Sequence, residues 1–261
     1  MRQDKPQRIS TATKERVVSI LSPIVLLSVW QLLSSTGILD GRFVPSPVSI
    51  ARVGFDMAQS GELAQHLKAS FVRLGAGFAI GAALGVTVGV LMGLSRWLRA
   101  ALDPIVAAVY PIPKISLLPL VMIFLGLGEA SKIFIIAFAV FFIVLLNSMA
   151  GVLTLDKIYF EAAKNFRAPW YKLFWRVVLP GALPLIFVGL RLAIGVALIL
   201  IVAAEFVAAR AGIGYLIWSS FEVMKVEAMF VGIIIITMIG LITTAILKEI
   251  ERRILPWKAS R

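Results

Sequence analysis

Apolar and polar positions along this chain fall into long blocks rather than strict alternation. Six stretches, roughly 17–36, 70–94, 104–125, 131–153, 182–206 and 229–248, are almost wholly apolar. Each can cross about 30 Å of hydrocarbon, which takes ~20 helical residues. A single segment in lipid can satisfy its own backbone donors and acceptors only as a helix. The blocks therefore predict an all-α integral membrane protein with about six transmembrane helices. The third stretch is the least regular. Pro104, Pro111, Pro113 and Pro119 each remove a backbone donor there, so that span should be broken or kinked. A broken segment must face protein or a water-filled path, and Lys114 within it points the same way.

The segments between the blocks set the expected orientation through their Lys and Arg content. The basic tail 1–16, the loop 95–103, the segment 157–176 and the basic tail 251–261 carry clustered cations. The intervening 37–69, 126–130 and 207–228 carry only scattered ones. Both termini of this multi-pass membrane protein are thus expected on the cytoplasmic side. In the long outer loop, Phe43-Val44-Pro45-Ser46-Pro47 reads as a stiff extended piece. Residues 47–69 read as interfacial helix, with Leu63, Leu67 and Phe71 on one side. Gly75, Gly77, Gly81, Gly85, Gly89 and Gly93 then recur mostly at four-residue steps, the interval that lets helices approach closely in lipid.

One connecting segment is more organised than a connector needs to be. In 157–180, KIYFEAAKNFRAPWYKLFWRVVLP, five cations (Lys157, Lys164, Arg167, Lys172 and Arg176) sit between two apolar runs. Phe160, Ala163, Phe166 and Arg167 recur at helical spacing, and Pro169 can open a second short helix. Spacing alone leaves two readings. The segment is either an interfacial helix held to lipid head groups, with Trp170 and Trp175 as belt residues, or a helix gripped by a soluble partner.

Composition narrows the remaining possibilities. The chain is 60% hydrophobic and 15% charged, against roughly 25% charged in soluble domains. Its net charge of +12 is confined to short segments between spans, which argues against nucleic acid as a partner. There are no cysteines and one histidine, His66, which the pattern puts in the outer loop region. A His-based metal site or a Ser–His–Asp triad has nothing to build on, and no phosphate-binding loop is present. No catalytic residue, metal or cofactor is expected in this chain, and any ATP would be hydrolysed on another polypeptide.

A few polar groups sit inside or beside the spans and are candidates for the solute path. Glu205, near the outer end of the fifth span, is a candidate gate or pathway residue. Asp103, Glu129 and Asp156 lie at span ends, where a solvated carboxylate needs no special role. Arg191 lies inside an apolar run. It is either an anchor with its head at the interface, a partner of an acid near the 157–180 segment, or a vestibule residue. Asn147 and Ser148 either line the path or hydrogen-bond a neighbouring helix, the second being the commoner use.

The motifs also carry a family resemblance. Glu161-Ala162-Ala163 followed by Leu179-Pro180 resembles the EAA loop of ABC-importer permeases. Tyr110-Pro111-Ile112-Pro113, Leu118-Pro119-Leu120, Phe124-Leu125-Gly126-Leu127-Gly128-Glu129, Gly189-Leu190-Arg191, Ala203-Ala204-Glu205 and Gly212-Ile213-Gly214-Tyr215 are similar to the nitrate, sulfonate and taurine branch. The resemblance implies a type I permease fold. Residues 1–16 and 251–261 would be tails, 17–60 a first span with its outer loop, and 61–250 the permease domain. It also implies that Glu161, Ala162, Ala163, Phe166, Arg167 and Ala168 couple to an ABC ATPase subunit. Lys114, Asn147, Arg191 and Glu205 stay as pathway or gate candidates. The remaining implications are a homodimer, a periplasmic or extracellular solute-binding protein, and a small solute as cargo. Arg167 stands where the family usually has Gly, so the turn there is either reshaped or strained by about 1–2 kcal/mol. The alternative is a partner-independent secondary transporter, which would show inverted repeats and ionisable groups at mid-membrane.

Overall fold

The computed structural model describes residues 11–256 and is helical throughout that range. The elements are α1 (Thr11–Ser35), α2 (Pro47–Gln59), α3 (Glu62–Leu94), α4 (Arg96–Val109), α5 (Leu118–Leu125), α6 (Glu129–Leu153), α7 (Lys157–Asn165), α8 (Trp170–Leu173), α9 (Leu179–Ala208), α10 (Ile213–Glu222) and α11 (Val226–Ile254). Four segments are long and apolar enough to cross a membrane: α3, α6, Trp170–Val207 and α11. The pair α4–α5 makes a fifth if its 88° bend is counted within one span. In α1 the apolar run among the described residues is Leu21–Ser35, shorter than the ~20 residues a full crossing needs.

The glycine stripe builds the centre of the bundle. A Cβ at Gly77 would lie 2.8 Å from Ile136, and one at Gly85 2.7 Å from the Phe141 carbonyl oxygen. Gly81, Gly89 and Gly93 press equally close on Ala137, Leu145 and Val152. Only hydrogen fits at these positions, so the backbones of α3 and α6 run nearly in contact. Both residue series rise together, so the two helices are parallel. The chain must therefore return across the bundle between them, and α4–α5 is the only segment that can do it. The bent pair is a broken crossing, not a loop that re-emerges where it entered.

The break is narrower than the four prolines suggest. Pro119 opens α5, where its missing N–H is harmless, and Pro104 sits within α4. The chain turns at Tyr110–Pro113, followed by one turn of 3₁₀ helix over Lys114–Leu117. Antiparallel to α6 runs α9: Gly151 meets Ala182, and Gly189 meets Asn147. Ahead of Pro180 the helix widens into one π turn, Phe174–Val178, which relieves the clash between the proline ring and the preceding carbonyls.

Two ends result. One carries the start of α4, α7, the start of α9 and the end of α11. The other carries α2, the start of α3, residues 126–130 and the 209–212 turn. Among the described residues, the sorting of loops onto two sides matches the one read from Lys and Arg positions; residues 1–10 and 257–261 of the two basic tails lie outside the described residues. Helix α2 is fixed at this second end by its Ser46 cap, with Ser46 Oγ accepting from Ser49 N at 3.1 Å, and by Ile50 and Met57 packed near Ala228 and Val231. The helix expected over 47–69 is interrupted at Gly61, in the left-handed region at φ 80°. Leu63 and Leu67 turn inward, but Phe71 is exposed.

Candidate functional site

At the α7 end, Asp156 opens the short helix, its Oδ1 accepting from Ile158 N at 3.0 Å. The helix closes through two bonds: Arg167 N donates to the Lys164 carbonyl at 3.0 Å and Ala168 N to the Ala163 carbonyl at 2.9 Å. This is a Schellman closure, which needs a left-handed residue after the cap. Arg167 supplies it at φ 46°. The turn therefore keeps the shape that glycine would give it, and Arg167 carries the strain.

Helix α7 has a seated side and a free side. Phe160 packs toward Val178 and Ala182, and Ala163 and Ala168 are half-buried. Glu161 and Ala162 are exposed, and Phe166 is 86% exposed, the highest value among the large exposed hydrophobic residues. Trp170, Tyr171 and Trp175 continue an exposed aromatic row through α8. The free side thus combines a carboxylate, a small residue that permits close approach, and a protruding aromatic ring.

At the opposite end, three helices, α3, α9 and α10, meet at one carboxylate. Glu205 is 1% exposed and every contact it makes is a donor. Arg73 Nη1 donates to its Oε1 at 2.7 Å. Ser70 Oγ lies 2.8 and 3.0 Å from its two oxygens, and Gly214 N donates to Oε2 at 2.7 Å. The glycines of 212–214 make this wrap possible. Gly212 adopts φ 133°, and a Cβ there would collide with the Glu205 carboxylate. One at Gly214 would lie 2.6 Å from the Val202 carbonyl oxygen. The carboxylate also sits at the first turn of α10, where unpaired N–H groups favour a negative charge.

The cluster extends beyond Glu205. Arg73 Nη2 donates to Glu129 Oε1 at 2.7 Å, its Nε donates to Glu129 Oε2, and Nη1 reaches the Ala211 carbonyl at 2.6 Å. His66 Nδ1 accepts from Gly212 N at 3.1 Å, and Ile213 N donates to Ser70 Oγ at 2.8 Å. The expectation for Glu129 is therefore corrected: it is held by Arg73 rather than free at a span end. His66 is corrected too, since it lies buried in the first turns of α3 and orders the 212–214 turn. Ser70 and Arg73 do not stand out in the sequence, and His66 stands out there only as the lone histidine. Their signal is spacing, because 66, 70, 73, 77 and 81 form one helical stripe whose polar end becomes the glycine seam.

The other sequence-selected residues separate from this cluster. Lys114 Nζ donates to the carbonyls of Val109, Tyr110 and Ile112 at 3.2, 2.7 and 2.9 Å, and lies 5.2 Å from the Phe142 ring centroid. It caps the end of α4 and ties the break together. Asn147 Nδ2 bonds its own helix at the Ile143 carbonyl, 2.8 Å away, rather than a neighbouring one. Ser148 is fully buried beside Gly89. Arg191 Nη1 pairs with Glu251 Oε2 at 2.9 Å, which fastens α9 to the end of α11; that acid lies on the last helix rather than beside α7.

These features define a helical membrane bundle with a short exposed helix at one end and a buried ion cluster at the other. Residues 81–256 match the family model described as binding-protein-dependent transport system inner membrane component, and the chain belongs to that family. Among its relatives are the Escherichia coli proteins named as the aliphatic sulfonates transport permease SsuC and the taurine transport system permease TauC. SsuC is 38% identical over 93% of this chain and 92% of its own length; TauC is 34% identical over 94% and 91%. The nitrate import permease NrtB of Synechocystis is 29% identical over 89% of this chain and 86% of its own length. A solved structure titled for inward facing conformations of the MetNI methionine ABC transporter aligns with a TM-score of 0.59. It is 16% identical and covers 71% of this chain and 93% of that one, and so shares the fold. The chain is accordingly a permease subunit of the ABC-importer type, and the expected type I fold holds.

Proposed function

We propose that this chain forms, as a homodimer, the membrane path of an importer for a small sulfonate-like oxyanion. An external binding protein delivers the solute, and a separate ABC ATPase supplies the energy. The end bearing α7 faces the cytoplasm and the end bearing the Glu205 cluster faces outward, which agrees with the distribution of Lys and Arg. The observation that carries the reading is the free side of α7. A helix too short to serve as a span is rigidly closed at both ends, seated through Phe160, and presents Glu161, Ala162 and Phe166 to a partner.

Coupling then has a plain physical form. ATPase closure pushes α7, whose Phe160 packs against the apolar cluster that holds Val178 and Ala182 at the start of α9. Because α9 continues through its π turn as one helix to Glu205, displacement at one end reaches the other. A bistable bundle needs a partner that favours one state, and nucleotide-driven closure provides that bias. The cargo assignment leans on the relatives named for sulfonates, taurine and nitrate, each a small anion or zwitterion.

The test is reconstitution of this chain with its ATPase and binding protein in vesicles. ATP-dependent uptake of a sulfonate is expected, and Ala162→Glu, on the free side of α7, should leave ATPase activity while uptake falls at least tenfold. Uptake driven without any ATPase would contradict the reading and favour a secondary carrier.

A further inference from the structure

A pocket of about 560 Å³ opens beside the Glu205 cluster, lined by Arg73, Glu129, Lys132, Arg210 and the backbone of residues 127–128 and 209–211. Its charge is unusual for a membrane protein. Lys132 is only 2% exposed, and Arg73 only 3%. A buried cation is costly in such surroundings unless it is paired or serves a ligand. Arg73 is paired, with Glu129 and Glu205. Lys132 is held differently: its Nζ donates to the carbonyls of Leu127 at 3.1 Å and Gly128 at 2.9 Å. No ion pair to Lys132 is found among the described residues. An ammonium has three donors, and two are engaged.

The charge balance of the pocket follows directly. Three cations, Arg73, Lys132 and the exposed Arg210, stand against two carboxylates, Glu129 and Glu205, so one positive charge is uncompensated. The carbonyls fix Lys132 in place without neutralising it. Arg210 is exposed on the 209–211 turn at the rim. A site with one fixed buried cation, one spare donor and an exposed rim cation suits a compact monoanion with several acceptor oxygens.

We propose that this pocket is an oxyanion-binding subsite, in which Lys132 supplies the buried charge contact and Arg210 a second charge contact at the rim. It takes small sulfonates or comparable monovalent oxyanions. Its role as a first station at the outer mouth rests on the transport reading above; the binding itself does not. The site joins a guest to the 209–211 turn that also receives Arg73 at the Ala211 carbonyl, so occupancy and the ion cluster share one backbone element.

The probe is trifluoromethanesulfonate, followed by ¹⁹F line width with the full chain in phosphatidylcholine nanodiscs. Saturable broadening is expected, competed by methanesulfonate. Lys132→Met should weaken it at least tenfold and Arg210→Gln at least threefold, while Lys248→Met at the other end leaves it unchanged. Arg210 is exposed, so its variant reports even if Lys132→Met does not fold. Unsaturable broadening, or equal affinity in the Arg210→Gln protein, would overturn the proposal. So would displacement by added phosphatidylglycerol but not by methanesulfonate, which would make the site one for a lipid head group. Binding without oxyanion uptake by the complete transporter would overturn the transport reading and leave the site. Uptake without binding would do the reverse.

Discussion

Arg73 Nη1 and Glu205 Oε1 meet at 2.7 Å across 132 positions of sequence. The pair bolts the beginning of α3 to the end of α9, and Glu129 of α6 shares the same guanidinium. Neither charge has water to fall back on. Removing Arg73 leaves Glu205 buried without a cation, which costs about 3–5 kcal/mol, whereas removing Glu205 leaves Arg73 its second partner Glu129 and costs less.

That asymmetry gives the first test. Arg73→Met and Glu205→Gln should each lower the thermal midpoint of the detergent-solubilised protein by many degrees. The double variant should recover part of the loss, because no naked charge remains. Strictly additive losses would show that the two residues act independently.

The glycine seam makes a positional contrast. Gly89→Leu drives a side chain into the Leu145 carbonyl and should destabilise by about 1–3 kcal/mol or more. Gly75→Leu, which meets nothing within 4 Å, should be nearly neutral. Thermal scanning of the two variants side by side reads the difference, and equal losses would place α6 elsewhere.

Lys114 is expected to hold the bend rather than the solute. Lys114→Met removes one donor from three carbonyls, two of them exposed and the third half-buried, so each lost bond costs about 0.5–1.5 kcal/mol at most. Spin labels at Ala108→Cys and Ile123→Cys should then show a broadened distance distribution by pulsed electron resonance. An unchanged, narrow distribution would mean that the prolines alone set the angle.

Arg167→Gly should relieve the left-handed strain by about 1–2 kcal/mol. Amide exchange at Arg167 and Ala168 should slow by about five- to thirtyfold, since each 1.4 kcal/mol is a factor of ten. Faster exchange would show that the guanidinium makes a compensating contact.

Much of this architecture is written in the chain's hydrophobic blocks. Four spans, the broken third crossing and the glycine seam follow from the length, proline placement and small-residue spacing of those blocks. The remaining expected span, over 17–36, does not, because the apolar run described in α1 is only Leu21–Ser35. The EAA helix was legible to within a residue: Pro169 caps α8 rather than occupying its first position. The ion cluster was only half legible. Glu205 and the Gly212-Ile213-Gly214 turn stood out as motifs, yet nothing local links either to Arg73, which reads as one charge near a span end. Its burial depends on α3 and α6 being parallel, and that is decided by how α4–α5 bends. The prolines and Lys114 mark a break there, but its 88° angle depends on how α4 packs on α3 and α5 on α6, which proline positions alone do not give. Arg191 illustrates the same limit, since its partner Glu251 lies sixty residues on, in the last helix.

The central claim is that α7 touches the motor. Phe166→Cys creates the sole cysteine of the chain, at its most protruding apolar position. In the assembled complex it should cross-link to the ATPase subunit through a short bis-maleimide and stay unlabelled by membrane-impermeant maleimide added to intact cells. Ready labelling from outside, with no cross-link to the ATPase, would contradict the account.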